Sequence, residues 1–461
     1  MRRYLSFMKR ELYTYIENNC RYRQKNSMRC IVEILRDIYV NALINRMNNG
    51  MIKVITGIRR SGKSYLLFKL FYDYLISTGV TEDHIIQLAL DIPENRAYRD
   101  IDTLYEYILS RIENSNEQYF VLLDEVQYAI TEDEMKHPEK SLGLYDALNG
   151  LLRKRNVDTY ITGSNSRFLS SDILTEFRGR GDEVHIFPLS FREFMQVFEG
   201  DKNQGWSDYI MYGGLPLVSI LPTVEQKVTY LTNLFEETYL KDLINRYHVQ
   251  KSRELEDLMN ILASTIGSLT NPSRIEATFK SVLHSSISVN TINQYIGYLK
   301  DAFIIHEANR FDVKGRQYIG TPMKYYFEDL GLRNARLGFR QIEENHIMEN
   351  IIYNELRVRG FSVDVGVVEI RANNASGKEV RKKLEVDFVA NLGSRRYYVQ
   401  SALALGTKEK LEQEQQSLAN VPDSFKKVIV VGHETHPWHT EKGTLVIGVQ
   451  RFLLDANSLD L

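Results

Sequence analysis

The sequence has very little cysteine: Cys20 and Cys30 are the only two among 461 residues. Two cysteines are too few for a disulfide framework, and these two lack the spacing of zinc ligands, which is typical of proteins from a reducing compartment. The chain also has no apolar run long enough to cross a bilayer, and its N-terminus lacks the apolar core of a signal peptide. We therefore expect a cytoplasmic protein that does not enter a membrane.

The sequence also lacks an excess of charge of either sign. Its formal net charge is −2, from 58 Lys and Arg against 60 Asp and Glu. This balance excludes a globally basic nucleic-acid binder, although it allows local basic patches. What the chain does contain is an ordinary globular composition with 43% hydrophobic residues, which is enough for several cores. The length favours about three domains.

The most informative stretch is the segment at residues 57–64, which reads G-x-x-x-x-G-K-S and is called the P-loop below. An apolar run precedes it and apolar residues at helical spacing follow it, so the pattern predicts strand, loop and helix. Its glycines allow successive backbone N–H groups to face phosphates. Lys63 would contact the β- and γ-phosphates of ATP, and the Ser64 hydroxyl would ligate Mg²⁺. The residues predicted to bind the nucleotide here are Gly57, Ile58, Arg59, Arg60, Ser61, Gly62, Lys63, Ser64 and Tyr65.

A second strand pattern, at residues 119–123, is apolar throughout and ends in Asp124 and Glu125. Strands of this kind alternate with helices in this part of the chain, which predicts a parallel sheet covered on both faces. Apolar residues followed by two acids form the Walker B pattern. At the C-terminal end of such a strand, Asp124 would hold Mg²⁺ through water, and Glu125 would polarise the water that attacks the γ-phosphate.

Two further signals follow in the chain. Ser164 or Asn165 would lie beside Asp124 if their strand and the Walker B strand flank the P-loop strand, and would then contact the γ-phosphate or the attacking water as a sensor residue. A helix N-cap is the alternative role for these two residues. Arg180, and after it Arg178, is the candidate for an arginine finger that acts in its own chain or in a neighbour's. A surface loop is the alternative for both arginines.

These residues carry a resemblance to a known family. The motifs that match in order and spacing are GIRRSGKS at 57–64, LDEVQ at 123–127, TGS at 162–164, GR at 179–180, PLSFREF at 188–194 and YGGLP at 212–216. On these motifs the chain resembles the prokaryotic AAA-type ATP-binding proteins that carry a C-terminal domain of unknown function. The resemblance implies an AAA+ ATPase core, with Lys63, Ser64, Asp124 and Glu125 in the usual roles. It also implies a nucleotide-sensing turn in which Pro216 reports on the bound nucleotide.

Helical periodicity takes over after residue 223 and ends in two extended stretches, residues 303–310 and 317–327. Helices followed by a hairpin predict a winged helix, and the resemblance implies the same. DNA binding would place the exposed face of the helix at residues 290–301 in the major groove, with Lys314 and Arg316 at the hairpin tip on phosphates. A winged helix used for packing or for contact with a protein partner is the alternative.

The last region reads helix, three strands, helix and strand, which is the core order of the restriction-endonuclease-like fold. Asp387 resembles the metal-binding Asp of PD-(D/E)XK nucleases, with Glu349 or Glu355 as the helical acid. Where such enzymes carry Glu-x-Lys, the chain has Gln, Ser and Ala at residues 400–402, so we expect a degenerate site without nuclease activity. Three histidines near the C-terminus are interpreted as part of a surface loop rather than as a metal site: His433, His436 and His439.

The sequence therefore predicts a multidomain α/β protein. The expected parts are an N-terminal extension at 1–29, an AAA+ P-loop ATPase domain at 30–222, a helical and winged-helix domain at 223–335, and a nuclease-like domain at 336–461. The expected function is that of a Mg²⁺-dependent ATP hydrolase whose nucleotide state regulates the C-terminal module and, as a further expectation, its self-association. Two alternatives stay open: an ATP-coupled nuclease that processes nucleic acids, and a slow nucleotide switch for a protein partner.

Overall fold

The computed structural model describes residues 33–112, 116–131, 134, 143–163, 180–341, 343–373 and 379–461. The chain divides into two compact units, Met1–Leu35 and Arg36–Leu461, and the description below concerns the second unit. Three of the predicted site residues lie outside the described residues: Ser164, Asn165 and Arg178.

The first part of this unit is built on a five-stranded sheet in which every pairing is parallel. The strand order is β2–β3–β4–β1–β5. Strands β1 and β3 are buried at every residue, as expected for central strands covered on both faces. The structure thus confirms the predicted parallel sheet. Its strands are β1 (Ile52–Thr56), β2 (Ile85–Ala89), β3 (Tyr119–Asp124), β4 (Val157–Thr162) and β5 (Gly181–His185).

Helices cover both faces of this sheet. Successive side chains of a strand point to opposite faces: Val54 packs into one core with Leu148, while Ile55 packs into the other with Phe71. Helix α2 starts directly at the P-loop and contains a π-helical middle segment. Short 3₁₀ segments occupy Glu82–His84, Pro93–Arg99 and Val126–Ala129. The helices are α1 (Asp37–Ile44), α2 (Lys63–Tyr65, Leu66–Phe71 and Tyr72–Ser77 in succession), α3 (Ile101–Arg111) and α4 (Gly143–Leu152).

The strand order decides which side chains meet at the edge of the sheet. Because the strands are parallel, their C-terminal residues lie along one edge, and Thr56, Asp124, Thr162 and His185 all end strands there. Strand β4 lies between β1 and β3. The condition set for the sensor residues, that β3 and β4 flank the P-loop strand, is therefore not met, although β4 does run beside Asp124.

A helical region follows the sheet. Several of its helices begin with a residue whose side chain accepts a backbone N–H group that has no partner within the helix. These capping residues are Ser190, Asp201, Thr223, Asn271 and Ser288. The helices are α5 (Phe191–Phe194), α6 (Lys202–Tyr212), α7 (Pro216–Ile220), α8 (Val224–Asn233, Leu234–Leu240 and Lys241–Arg246 in succession), α9 (Ser252–Ser264), α10 (Pro272–Ser281) and α11 (Val289–Asp301). Throughout the part of the chain that the structure describes, no helix is both long enough and apolar enough to span a membrane.

The C-terminal part is built on an eight-stranded mixed sheet of order β12–β13–β11–β10–β9–β8–β6–β7. Its strands are β6 (Ile305–Asp312), β7 (Gln317–Phe327), β8 (Ser362–Asn373), β9 (Glu379–Leu392), β10 (Arg395–Ala402), β11 (Lys426–Val431), β12 (Trp438–His439) and β13 (Leu445–Gly448). The helices are α12 (Leu330–Arg336), α13 (Glu344–Val358), α14 (Lys408–Ala419) and α15 (Val449–Leu454).

The β6–β7 hairpin belongs to this large sheet. Strand β6 pairs in parallel with β8, with Arg310 opposite Val365, so the hairpin assigned to the winged helix continues the sheet of the nuclease-like region. Thr270, just before α10, forms an isolated antiparallel bridge with Met323 of β7. The helices α10 and α11 are therefore connected to the C-terminal sheet through the hairpin.

Candidate nucleotide-binding site

The P-loop curls tightly between β1 and α2. Gly57 has a φ of 137°, and a Cβ there would lie 2.2 Å from the backbone oxygen of Ile186, so only glycine fits. Gly62 has a φ of 94°. Lys63 is buried, and its Nζ donates to the backbone oxygens of Gly57 and Ile58, both at 3.0 Å. The lysine ammonium thus lies inside the curl, where a phosphate oxygen would be a charged and stronger acceptor.

Burial lowers the pKa of Lys63, while Glu125 and Asp124 act in the opposite direction. The same two carboxylates lie at the end of β3, so the structure places the predicted P-loop lysine and the predicted acids at one edge of the sheet. This is the arrangement that the two sequence patterns predict together.

The Thr162 hydroxyl holds both acids in place. It donates to Oδ1 of Asp124, and it accepts the backbone N–H of Glu125 at 3.0 Å. Burial raises the pKa of Asp124, while hydrogen bonds from the hydroxyls of Ser64 and Thr162 oppose that rise. The structure therefore brings Ser64 and Asp124 together, and their oxygen atoms are the kind of ligand that Mg²⁺ takes.

Glu125 has a strained backbone and a held side chain. Its φ of 54° is in the left-handed region, which is uncommon for a residue other than glycine and recurs at functional sites. Its carboxylate accepts a hydrogen bond from Nε2 of Gln127. Glu125 thus has a defined orientation beside the P-loop, as a group that positions a water molecule needs.

An open cavity of about 440 Å³ lies in front of these residues. Several of the predicted nucleotide contacts line it together with Glu125: Arg59, Arg60, Gly62, Lys63, Ser64, Tyr65 and Pro216. Asp91, Tyr128, Tyr230 and Thr238 also line it, although no motif in the sequence points to them. Their place in the cavity depends on how β2, β3 and α8 pack.

A hydrogen bond and an ion pair join the P-loop to α8. The Tyr239 hydroxyl donates to the backbone oxygen of Arg59 at 2.7 Å, and Nη2 of Arg59 lies 3.5 Å from Oδ1 of Asp242. Both partners belong to the helical region that follows the parallel sheet. A shift of Arg59 would therefore act directly on α8, to which it is bound.

The PLSFREF segment supports the P-loop through a buried arginine. Arg36 donates to the backbone oxygen of Ser61 at 2.8 Å, and its Nε lies 3.1 Å from Oε1 of Glu193. Glu193 and Ser190 form a capping box at the start of α5, which fixes the glutamate. The sequence carries no signal for Arg36, because one arginine before a helix forms no recognisable pattern.

Pro216 lies close to the P-loop: a Cβ on Gly62 would be 3.7 Å from Cγ of Pro216. The glycine pair before it is tightly enclosed. A Cβ on Gly214 would lie 2.2 Å from the backbone oxygen of Leu189, and the Gly214 N–H donates to Oδ2 of Asp329 at 2.8 Å. The YGGLP turn is thus held between the PLSFREF segment and the start of α12.

The P-loop also contacts the C-terminal sheet. The backbone N–H of Ile58 donates to Oε1 of Glu328 at 3.3 Å. Glu328 is buried and directly follows β7. Ile58 therefore accepts a hydrogen bond from Lys63 through its carbonyl oxygen and donates one to Glu328 through its N–H. The sequence offers no signal for this contact.

Arg180 lies at the other end of the sheet. It is exposed and precedes β5, and its backbone oxygen accepts the N–H of Ile52 at the start of β1. The P-loop leaves β1 at the opposite end, about 13 Å away along the strand. The structure therefore does not bring Arg180 to the P-loop of its own chain. An arginine finger that acts on the site of a neighbouring chain stays a prediction.

The C-terminal sheet contains a largely buried cluster of carboxylates around a lysine. Nζ of Lys324, on β7, lies 2.8 Å from Oε1 of Glu349, 2.7 Å from Oε1 of Glu385 and 3.9 Å from Oδ1 of Asp387. Burial alone would lower the pKa of Lys324, but these carboxylates raise it above its ordinary value. Burial, and then Glu349, raises the pKa of Asp387 well above its usual range. An ammonium group thus lies beside Glu349 and Asp387, the acids for which the sequence pattern predicts metal binding.

Of the two proposed helical acids, the structure brings Glu349 to Asp387. Glu355 instead pairs with Arg359, at 2.7 Å. Asp387 accepts the backbone N–H of Ser401 at 2.8 Å, and the side-chain oxygen of Gln400 lies 3.4 Å from the Asp387 nitrogen. The neutral Gln400 therefore occupies the strand position where the nuclease pattern requires a carboxylate.

Family comparisons divide the chain into two matched regions. Residues 49–195 match a family model described as an AAA domain, and residues 203–343 match one described as a domain of unknown function. The first match, which contains the P-loop and the Walker B strand, confirms the predicted AAA-type ATPase domain. It does not extend to the nuclease-like region.

Individual relatives cover more of the chain. An uncharacterized protein of Methanocaldococcus jannaschii is 28% identical over 372 residues, which are 77% of this chain and 74% of the relative. Among solved structures, a Walker-type ATPase of Pyrococcus abyssi is 15% identical and covers 66% of this chain and 96% of its own, with a TM-score of 0.46. An uncharacterized protein of Haemophilus influenzae is 32% identical over 404 residues, which are 87% of this chain and 93% of the relative. With its AAA-type P-loop domain, the chain belongs to the same protein family as this Haemophilus influenzae relative.

Proposed function

We propose that the protein is a Mg²⁺-dependent ATPase whose nucleotide state is transmitted to its C-terminal region. The observation that carries the proposal is the arrangement of Lys63, Ser64, Asp124 and Glu125 at one edge of the parallel sheet. Lys63 would bind the β- and γ-phosphates, and the oxygens of Ser64 and Asp124 would hold the metal ion. Mg²⁺ bound there would neutralise charge that develops on the phosphates.

Glu125 is the residue that activates water in this proposal. Gln127 holds its carboxylate, and Thr162 holds its backbone N–H. A carboxylate that is already oriented loses little freedom when it accepts a proton from the attacking water, which supports catalysis by positioning.

Transmission would start at Ile58. A phosphate that binds the Lys63 ammonium competes with the backbone oxygens of Gly57 and Ile58, which accept its hydrogen bonds. Because the N–H of the same Ile58 is bound to Glu328, a shift of this residue acts on the end of β7. Arg59 would carry the same movement to α8 through Tyr239. The nucleotide site thus has two direct connections to the rest of the chain.

A second candidate function is DNA binding by a winged helix. The order of α9, the Thr270 bridge, α10, α11 and the β6–β7 hairpin supports this reading. The polar residues Asn290, Asn293 and Gln294 are exposed on α11, and short polar side chains of this kind can contact bases in a major groove. At the hairpin tip Lys314 donates to the backbone oxygen of Glu369 at 2.7 Å, so Arg316 is the better placed of the two for a phosphate.

For the nuclease-like region we propose a fold without cleavage. Phosphodiester hydrolysis by metal ions needs carboxylates that hold the cation. Here the ammonium of Lys324 pairs with both Glu349 and Glu385 and offsets one of their two negative charges, and Gln400 supplies no charge. A site of this composition supports a structural or binding role rather than catalysis.

The test is a comparison of ATP binding and steady-state ATP hydrolysis, with and without DNA. Wild type should bind and hydrolyse ATP in Mg²⁺. Lys63→Ala should lose binding, while Glu125→Gln should keep binding and lose hydrolysis by about 10²–10⁴-fold. Lys69→Ala, at an exposed position of the same helix, is the matched control and should behave as wild type. Equal hydrolysis by wild type and Lys63→Ala would refute the proposal.

A further inference from the structure

Two histidines and a glutamate meet where the parallel sheet contacts the C-terminal sheet. His185 ends β5, His306 lies in β6, and Glu328 follows β7. Oε2 of Glu328 lies 3.1 Å from Nε2 of His185 and 2.8 Å from Nε2 of His306. One ligand atom from each residue lies within 4.8 Å of the others, and elsewhere in the described residues no three such side chains approach one another in this way.

The hydrogen bonds of His185 indicate which of its two ring nitrogens carries a proton. The Thr56 hydroxyl donates to Oε1 of Glu183 at 2.6 Å, since a carboxylate can only accept. Its oxygen must then accept from Nδ1 of His185, which lies 3.0 Å away. In a neutral ring that carries its proton on Nδ1, Nε2 has a lone pair, and that lone pair would face the carboxylate oxygen of Glu328. Two acceptors at 3.1 Å repel each other unless a metal cation lies between them or the ring takes up a second proton.

We propose that this cation is a zinc ion, bound by His185, His306 and Glu328. Two imidazole nitrogens and one carboxylate oxygen are a usual protein ligand set for Zn²⁺, with water as the fourth ligand. The side chain of Glu328 is fully buried, while those of His185 and His306 are 17% and 14% exposed. The exposed side of the two rings is where the water ligand would enter.

The spacing of the ligand atoms supports the assignment. Metal–ligand bonds of about 2.0–2.1 Å in a tetrahedral site place the ligand atoms roughly 3.3 Å apart. The separations of 3.1 and 2.8 Å from Oε2 of Glu328 therefore need to widen by only a few tenths of an ångström. The two histidine nitrogens, which lie within 4.8 Å of each other, would also have to stand at about this tetrahedral spacing.

The partner that orients a metal-bound histidine is also in place. Metal-binding histidines usually donate their second ring N–H to a fixed acceptor. Thr56 provides that acceptor for Nδ1 of His185, and Glu183 fixes the hydroxyl in turn. Zinc would bind Nε2 of both rings as unprotonated nitrogens, so a proton on either nitrogen would be released to solvent when the ion binds.

The proposed ion would act as a structural bridge. Its ligands come from β5 of the parallel sheet, from β6 of the hairpin and from the residue that follows β7. Glu328 also accepts the N–H of Ile58 in the P-loop with its other oxygen. A fixed Glu328 would hold that contact in place. The proposal does not depend on ATP hydrolysis, since zinc binding can be measured without nucleotide.

The test uses full-length protein that is purified without a histidine tag, stripped with a chelator and titrated with Co²⁺ as a spectroscopic substitute for Zn²⁺. Wild type should bind about one equivalent with the intense visible absorption of a tetrahedral site, and Zn²⁺ should displace it. His306→Gln and His185→Gln should lose this spectrum, and Thr56→Val should weaken binding by about 10–100-fold. His433→Gln, which alters an exposed histidine, should bind as wild type does.

Several outcomes would overturn the proposal. One is a wild-type protein that shows only the weak spectrum of octahedral Co²⁺. Another is a folded His306→Gln variant, judged by circular dichroism, that binds the ion as tightly as wild type. Because the wild-type spectrum is informative by itself, the proposal can be refuted even if a histidine variant does not fold.

Discussion

The backbone N–H of Ile58 donates to Oε1 of Glu328 at 3.3 Å, although 270 residues separate the two along the chain. Ile58 belongs to the loop that would bind phosphates, and Glu328 follows the last strand of the hairpin. A buried charged acceptor strengthens a hydrogen bond and makes its loss costly. This contact connects the nucleotide site directly to the end of the large C-terminal sheet, and it underlies the proposal that nucleotide binding is transmitted.

Thr162→Val should slow ATP hydrolysis more than it weakens ATP binding. The substitution keeps the shape of the side chain but removes the hydroxyl that donates to Asp124 and accepts the N–H of Glu125. A loss of about 10–100-fold in turnover is expected for a residue that orients the acids without touching substrate. The measurement is the rate of phosphate release beside ATP affinity. Thr159→Val, on the same strand but facing the other side of the sheet, is the control, and equal effects of the two variants would contradict the role of Thr162.

Arg180→Ala tests whether a finger acts between chains. Since Arg180 lies at the end of the sheet away from its own P-loop, it can contribute only to the site of a neighbouring chain. We expect a fall in turnover of about 10³-fold or more with little loss of ATP affinity. The specific activity of wild type should also rise with protein concentration. If affinity and turnover fall together, or if activity is independent of concentration, the arginine has no finger role.

Lys324→Met should destabilise the fold at neutral pH by about 3–5 kcal/mol, because it leaves buried carboxylates without their cation. The measurement is the free energy of unfolding from urea denaturation. Lys410→Met is the control: its ion pair with Glu414 involves a lysine that is 44% exposed, so its loss should change stability by less than about 1 kcal/mol. Equal stabilities of wild type and Lys324→Met would show that the acids are not ionised around the lysine.

The same region should not cleave nucleic acid. The assay is incubation of the wild type with plasmid, linear and single-stranded DNA and with RNA, in Mg²⁺ or Mn²⁺. No cleavage is expected, since Lys324 and Gln400 leave too little negative charge for a metal ion. Cleavage that disappears in Asp387→Ala but persists in Lys63→Ala would establish a nuclease and contradict the expectation that its catalytic site is degenerate.

DNA binding, if the winged helix provides it, should depend steeply on salt. Changing Lys314 and Arg316 together to alanine should weaken it and reduce the magnitude of the salt slope by at most about 2, because each phosphate contact contributes roughly one unit. Fluorescence anisotropy across a salt series measures this directly. Lys69→Ala combined with Lys241→Ala is a charge-matched control on other exposed helices. Affinity that is insensitive to the double change would favour a protein-binding winged helix.

The sequence predicts the parts of the site whose residues lie in one contiguous stretch of the chain. The P-loop and the Walker B acids each carry their own strand, turn and polar residues, so local pattern alone places Lys63 beside phosphates and Asp124 at a strand end. Thr162 carries no such pattern. It reaches Asp124 only because β4 lies next to β3, and strand order is not readable from apolar runs.

The contacts missed in the C-terminal part have the same origin. In the sequence, Lys324 is one residue of a predicted hairpin strand, and it meets Asp387 only because that strand belongs to the same sheet as β9. Glu328 and Arg36 are single charged residues beside elements, where a solvated side chain is the ordinary expectation. Their burial against the P-loop depends on long-range packing.

The central claim, that the nucleotide at the P-loop acts on the C-terminal sheet, is tested most directly by hydrogen–deuterium exchange of the full-length protein with and without a non-hydrolysable ATP analogue and Mg²⁺. The account predicts that the analogue changes exchange both at the P-loop and at the end of β7 around Glu328 in wild type, and at neither place in Lys63→Ala. Protection confined to the P-loop of wild type, with unchanged exchange around Glu328, would contradict the transmission from Ile58 to the C-terminal sheet.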